Sequence, residues 1–162
     1  MTNVASPPET QNFLSFSVNS QVAGLLPSLQ LVEVLSVTTE SIVPISGTAE
    51  AVMGVCNWRG EVLWLIDVGA TLQAGRLCDH NLLLPQYNVI IAKSPQGPVG
   101  LVVETVGQMC WVDPNDVAPA PPLGQTPTAS LPPLPYLQGY WQSPEQSEIF
   151  AILDLERLLQ AL

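Results

Sequence analysis

The sequence predicts a mostly-β domain, either a barrel or a sandwich. Three observations carry this. Short apolar segments alternate with period two. Turn residues interrupt them at close intervals. One long stretch is too dense in proline for a helix or a sheet interior. The 162-residue chain is of single-domain size and 47% apolar against 11% charged, a balance that buries a core rather than leaving the chain disordered.

Residues 1–11 read as a flexible tail. From Phe13 to Val18 the chain alternates, with Leu14, Phe16 and Val18 on one face, which describes a half-buried strand. Asn19-Ser20 marks a turn, and Val22–Leu26 is its hairpin partner. Pro27-Ser28 then opens a short helical pattern. Leu29, Val32 and Leu35 recur at helical spacing, with Ser28 placed to cap it. Val43-Pro44 and Ser46-Gly47 break the chain again. Val62–Val68 is a strongly apolar strand, expected to be covered on both faces. Strands follow at Tyr87–Lys93 and Val99–Val103, joined by a turn at Ser94–Pro98, and a further strand runs over Thr105–Val112. Residues 113–135 are proline-dense and read as a surface loop. Tyr136–Trp141 and Ile149–Leu153 are the last strands, and a helix closes the chain near Leu155–Leu162.

One pattern occurs twice. Ile66-Asp67-Val68 precedes Leu72-Gln73 at the same spacing at which Leu153-Asp154-Leu155 precedes Leu159-Gln160. Each copy follows an apolar strand containing a glycine, Gly54 or Gly139. In each, an aspartate stands where it can accept hydrogen bonds from the first free N–H groups of a short helix. Chance similarity between two amphipathic ends is one reading. Two related β-subdomains, each closed by a strand–Asp–helix unit, is the other.

Charge excludes some partners. Fourteen acidic residues face four basic ones, Arg59, Arg76, Lys93 and Arg157, for a net charge of −10. Four scattered cations cannot displace phosphate counterions along a nucleic acid, so no nucleic-acid binding is expected, and an anionic membrane surface is disfavoured for the same reason. A basic patch on a protein is compatible with this charge. Residues 1–10 carry no basic region followed by an apolar run, and no apolar segment is long enough to span a bilayer, so neither a leader nor direct membrane insertion is expected. Cys56, Cys78 and Cys110 are odd in number and far apart, unlike a secreted disulfide framework; each reads as a small buried hydrophobe. A cytoplasmic protein is the expectation.

The inventory for catalysis is thin. His80, the only histidine, lies in a polar stretch beside Asp79, with no second histidine at metal-ligand spacing and no CxxC. It reads as a surface residue, although a dyad of His80 with a cysteine is the form an enzyme would take here. No nucleophile elbow, phosphate loop or dinucleotide fingerprint occurs. Asp67 and Asp154 suit helix caps better than a glycosidase pair. No catalytic residue, metal or cofactor is therefore expected.

The densest unusual stretch is Gly54–Asp67. Asn57-Trp58-Arg59-Gly60 interrupts two apolar strands, and Asn57 and Gly60 both tolerate the positive φ of a tight turn. Such a turn projects Arg59 at a strand end. A solvated turn arginine is the plain reading. An interface residue is the sharper one, because Trp58 adjoins it, Trp64 follows closely, and Arg and Trp are enriched at binding hot spots.

These residues resemble the CheW family of chemotaxis adaptors, which share their fold with the regulatory domain of the CheA histidine kinase. The family signature is G-V-x-N-L-R-G followed by an apolar strand ending in I-D-L. Here it reads Gly54-Val55-Cys56-Asn57-Trp58-Arg59-Gly60 and Leu65-Ile66-Asp67-Val68. Weaker matches fall in family order: Phe13–Val18, Leu31-Val32-Glu33-Val34, Val43-Pro44, Val99–Glu104, Pro119–Pro122 and Tyr136–Gly139. The match covers residues 12–162. The resemblance implies two adjacent five-stranded β-barrel subdomains with short helices and no catalysis. It implies an adaptor between the cytoplasmic tip of a chemoreceptor and the regulatory domain of a CheA-type kinase. Carried over, Asn57, Arg59 and Gly60 would shape a receptor-facing groove, with Trp58 in the same step. Leu31, Glu33 and Gly100 match positions at or near partner contacts. Three positions depart from the family pattern. Trp58 replaces Leu, Trp64 stands where Pro is usual, and Glu104 replaces Asp. These departures leave the alternative of a repurposed scaffold without receptor coupling, and of a pilus-motility rather than a flagellar pathway.

Overall fold

The computed structural model describes residues 10–77, 85–119, 136–145 and 148–162. His80, Cys78 and the greater part of the proline-dense stretch lie outside them. The strands are β1 (Gln11–Ser17), β2 (Ala23–Pro27), β3 (Leu31–Thr38), β4 (Val52–Trp58), β5 (Glu61–Asp67), β6 (Gln86–Ser94), β7 (Gly97–Val103), β8 (Thr105–Val112), β9 (Val117–Pro119), β10 (Leu137–Gln142) and β11 (Ile149–Leu153). Two short helices, α1 (Val68–Thr71) and α2 (Leu155–Gln160), follow β5 and β11. The strands form one six-stranded sheet in the order β8-β1-β2-β11-β10-β9 and one five-stranded sheet in the order β3-β6-β7-β5-β4. The mostly-β expectation holds. The sheets are open rather than closed barrels, since no ladder joins their outer strands among the described residues.

The twofold pattern read from the sequence has a structural counterpart. In one sheet the antiparallel hairpin β1–β2 has β11 parallel beside it; in the other the hairpin β6–β7 has β5 parallel beside it. Each parallel pair sets a hairpin glycine against the strand, Gly24 opposite Ala151 and Gly100 opposite Leu65, three and two residues before the capping aspartate. Bulges occur at Val52/Gly54 on β4 and at Leu137/Gly139 on β10. At both glycines a neighbouring carbonyl, of Val43 or Ala118, occupies the space a Cβ would need. Each sheet then runs into an aspartate-capped helix. Asp67 Oδ1 accepts from the Ala70 N–H at 3.1 Å and its Oδ2 from the Leu77 N–H at 2.8 Å. Asp154 Oδ1 accepts from the Arg157 N–H at 3.2 Å. The two halves are linked where the Tyr136 hydroxyl donates to the carbonyl of Thr71 in α1.

The main core is shared by the two sheets. Leu14, Phe16 and Val18 enter it from one side, and Val89, Ile90, Leu101 and Leu65 from the other. A smaller cluster of Phe13, Leu25, Trp141, Phe150 and Ile152 lies within the six-stranded sheet. Because β1 serves both, it is buried on both faces over Phe13–Phe16 rather than half-buried. Each fully buried Leu, Ile or Phe contributes on the order of 1.5–3 kcal/mol.

Three sequence expectations need correction. The helical pattern at residues 28–35 is one 3-10 turn, Ser28–Gln30, without a side-chain cap, followed by β3. In β3 Leu31, Glu33, Leu35 and Val37 turn inward and Val32 and Val34 outward, so period two overrides the helical spacing. The strand β5 is not covered throughout: Val62 and Trp64 are exposed, and only its last three residues are buried on both faces. Residues 117–119 of the proline-dense stretch form β9, paired with β10. Its Pro119 sits on the edge strand, where a missing N–H is tolerated.

Candidate functional site

The register Trp58 opposite Glu61 leaves a two-residue loop, Arg59-Gly60, between β4 and β5. Both loop residues are left-handed, with φ of 52° and 80°. This is the primed turn whose twist suits a hairpin. Asn57 was expected to share the positive φ with Gly60. Instead it stays in the strand, and its side-chain Oδ1 accepts from the Gly60 N–H at 3.0 Å. The left-handed residue is Arg59, which unlike glycine pays for that conformation.

Glu33 on β3 faces this turn. Its Oε1 accepts from Trp58 Nε1 at 2.7 Å, and its Oε2 accepts from Arg59 Nη2 at 2.8 Å. The Arg59 guanidinium also stacks over the Trp58 ring, 4.9 Å from its centroid. One carboxylate thus holds two partners that hold each other. Strands β3 and β4 are the outer strands of the five-stranded sheet, so this clasp spans the gap that no backbone ladder closes. The Arg59 side chain remains 66% exposed and that of Glu33 32%, so the clasp orients a cation at the surface without burying it.

The other expected positions fall differently. Leu31 is half-buried, on β3 near Glu33, and packs on the main core. Gly100 is buried in β7. A Cβ there would meet Leu65 Cδ2 at 2.6 Å and Val89 Cγ1 at 2.9 Å, so this glycine admits neighbouring side chains and presents no surface of its own. Trp58 does what a leucine at that step cannot, since its indole N–H supplies the bond to Glu33. Trp64 does not join the clasp. It lies on the outer face of β5, near Leu159 of α2 and Leu162 just beyond that helix.

Sequence reasoning missed the outward apolar residues. Val62 and Trp64 on β5, Val32 and Val34 on β3, and Met109 and Trp111 on β8 are all exposed. Cys56 is buried as expected, and burial pushes its thiol pKa up. Cys110 is half-buried, with its thiol pushed the same way by burial. No helix among the described residues is long and apolar enough to cross a membrane.

The fold, the Asn57–Gly60 turn and the Glu33 clasp now stand beside known proteins. Residues 12–162 match the CheW-like domain. The chain belongs to the CheW-like domain family. Two relatives span it almost end to end. Protein FrzA of Myxococcus xanthus is 29% identical over 150 residues, covering 93% of this chain and 86% of that protein. Chemotaxis protein CheW of Klebsiella aerogenes is 26% identical over 162 residues, covering 99% and 89%. In structure, the scaffolding protein TtCheW from Thermoanaerobacter tengcongensis superposes with a TM-score of 0.73 over 92% of both chains at 21% identity, a likeness of fold. Within a CheW-like domain, then, the clasp ties the N-L-R-G-type turn to the V-x-E-I-type strand, two segments that lie well apart along the chain.

Proposed function

We propose that this CheW-like chain is a non-catalytic, cytoplasmic adaptor. It couples the cytoplasmic tip of a methyl-accepting chemoreceptor to the regulatory domain of a CheA-type histidine kinase, in chemotaxis or pilus-motility signalling. The observation that carries the reading is the Glu33–Trp58–Arg59 clasp. It fixes an exposed guanidinium at a rigid turn, and a held side chain loses less entropy on binding than a free one. Asn57 and Gly60 set the shape of that turn, and Leu31 supports β3 beneath Glu33. Gly100 acts indirectly, by letting Leu65 pack. The relatives named for chemotaxis and scaffolding support the same reading.

The test is a binding titration of the protein against the isolated regulatory domain of a CheA-type kinase and against a receptor-tip fragment from the same organism. Binding to both is expected. The variant Arg59→Ala should stay folded and lose at least one of the two, by roughly thirtyfold if Arg59 is a hot spot worth about 2 kcal/mol. Unchanged binding of both partners by that variant would sink the assignment of the site. Failure of the wild type to bind any such kinase would move the reading to a repurposed scaffold, the alternative that the tryptophans at 58 and 64 favour.

A further inference from the structure

The six-stranded sheet carries a second surface that shares no residue with the clasp. A groove of about 670 Å³ is lined on one side by β8, from Gly107 to Trp111 without a break. Alternate residues of a strand point to opposite faces. The run departs from that alternation because Gly107 and Gln108 form a bulge opposite Ser15 of β1, and Ser15–Ser17 of β1 with Ala23 of β2 make the floor of the groove beside β8. β8 is the last strand of its sheet and pairs only with β1 among the described residues, with the Gln108 carbonyl at its bulge accepting from the Ser15 hydroxyl at 2.8 Å. Across the groove stand Glu145 and Glu148 of the turn between β10 and β11, and Trp141 and Phe150 lie beneath, with ring centroids 5.7 Å apart.

The two sheets differ at this point. β8 occupies the place beside β1 that β3 occupies beside β6, and β10 the place of β4. In the five-stranded sheet the clasp bridges the gap between those outer strands. In the six-stranded sheet β9 pairs along β10 on that side, and the groove runs from β8 across β1 and β2 to Trp141 and Phe150. Long free edges invite pairing with another chain and are usually blunted by charge or proline. The eight residues of β8, TVGQMCWV, contain neither; the bulge at Gly107-Gln108 is the one such device, and Met109–Val112 beyond it are regular strand. Instead Trp111 and Met109 are exposed on it, at 66% and 43%.

Charge selects the occupant. The groove lining holds two carboxylates and no lysine or arginine. A second copy of this chain would bring its own net charge of −10 against them. A cation, by contrast, meets the carboxylates of the turn and the open face of Trp111. We propose that this groove takes an extended segment of a partner protein, which adds as a strand along the free edge of β8 and carries a lysine or arginine to Glu145 and Glu148. Five residues at about 3.4 Å each would span the Gly107–Trp111 edge, roughly 17 Å. This goes beyond the adaptor reading and does not depend on it.

The test uses the full-length, isotopically labelled protein and a synthetic probe. The probe is an acetylated, amidated heptapeptide of alternating valine and threonine with arginine at its third and fifth positions. Amide shifts concentrated on 107–111 and on 143, 145 and 148, together with movement of the Trp111 indole signal, are expected. The same peptide with glutamate for arginine, or with its backbone N-methylated at alternate residues, should bind at least tenfold more weakly. Glu145→Lys combined with Glu148→Lys should weaken the arginine peptide by roughly tenfold, and the peptide controls on the wild-type protein decide the matter if that variant does not fold. Equal binding of the glutamate or N-methylated peptides overturns the proposal. So do shifts confined elsewhere, no response at millimolar peptide, or self-association of the protein through β8 detected by sedimentation. None of these outcomes bears on binding to receptor or kinase.

Discussion

Within the clasp, Arg59 should contribute less to stability than Glu33 does. Consider Glu33→Ala, Arg59→Ala and their combination, measured by urea unfolding followed through tryptophan fluorescence. The Trp58–Glu33 bond has an ionised acceptor, a class worth about 1.5–3 kcal/mol. The Glu33 side chain is 32% exposed, so the low end applies, and Glu33→Ala is expected to cost about 2 kcal/mol. The Arg59–Glu33 pair involves a side chain that is 66% exposed, which places it among surface pairs worth about 0.2–1 kcal/mol. Its stacking on Trp58 adds about 0.5 kcal/mol at an exposed site. Arg59→Ala should therefore cost about 1 kcal/mol. Arg59→Gly should cost close to nothing, because glycine removes a left-handed penalty of about 1 kcal/mol. The double-mutant coupling between Glu33 and Arg59 should fall below about 1 kcal/mol. A coupling above about 2 kcal/mol, or an Arg59→Ala variant less stable than Glu33→Ala, would refute the reasoning and make the arginine a structural pillar. If the small value holds, a loss of partner binding in Arg59→Ala reports a lost contact rather than a lost fold.

Other perturbations follow from the same geometry. Asp67 is buried and accepts from two backbone N–H groups, so Asp67→Ala should cost about 2–4 kcal/mol, whereas the half-buried cap Asp154, with one such bond, should cost about 1 kcal/mol when replaced by alanine. Equal losses in thermal or urea unfolding would contradict the difference in burial. Burial raises the Asp67 pKa above the ordinary aspartate value, against hydrogen bonds from Ala70, Leu77 and Gly69 that lower it. The folded chain thus holds that proton more tightly than the unfolded one. As pH climbs through the window above about 3.9, the wild type should lose stability relative to Asp67→Asn, and the difference should then level off. A gain over that window would reverse the sign. Gly100→Ala forces Leu65 and Val89 to move and should cost about 1–3 kcal/mol, read as a lowered melting temperature; unchanged stability would mean that the close approach there is slack.

Much of the architecture was legible in the sequence, because strands with one covered face advertise it by alternation. Thr105–Val112 and Ile149–Leu153 are strands over the expected residues, the second as a continuous apolar run buried on both faces, and the two aspartates cap the helices their spacing suggested. What failed has specific causes. Leu29, Val32 and Leu35 recur at a spacing that mimics a helix, and the true inward series Leu31, Glu33, Leu35, Val37 is broken by a glutamate whose partners lie far along the chain. Apolar type does not reveal coverage, so Val62 and Trp64 looked buried. At the candidate site, the residue types of the turn were legible. Which of them would be left-handed was not, because that depends on the pairing of Trp58 with Glu61. The clasp itself is a long-range contact between two segments, beyond the reach of any local pattern.

The parallel pairing of β2 with β11 also has a kinetic consequence. The five-stranded sheet is made from one continuous segment, Leu31–Val103, and can form as soon as that segment has been synthesised. The six-stranded sheet waits for Ile149–Leu153 to reach the β1–β2 hairpin made at the start. At ribosomal speeds of roughly 5–20 residues per second, that hairpin stands without its neighbour for about 6–25 s. During that interval Leu25, fully buried in the finished protein, is paired with β1 but not yet with Ile152 of β11. Refolding from denaturant, where every segment is present at once, should therefore expose the nascent hairpin for less time than synthesis does, and chaperone demand should be greatest while the last third of the chain is still being made.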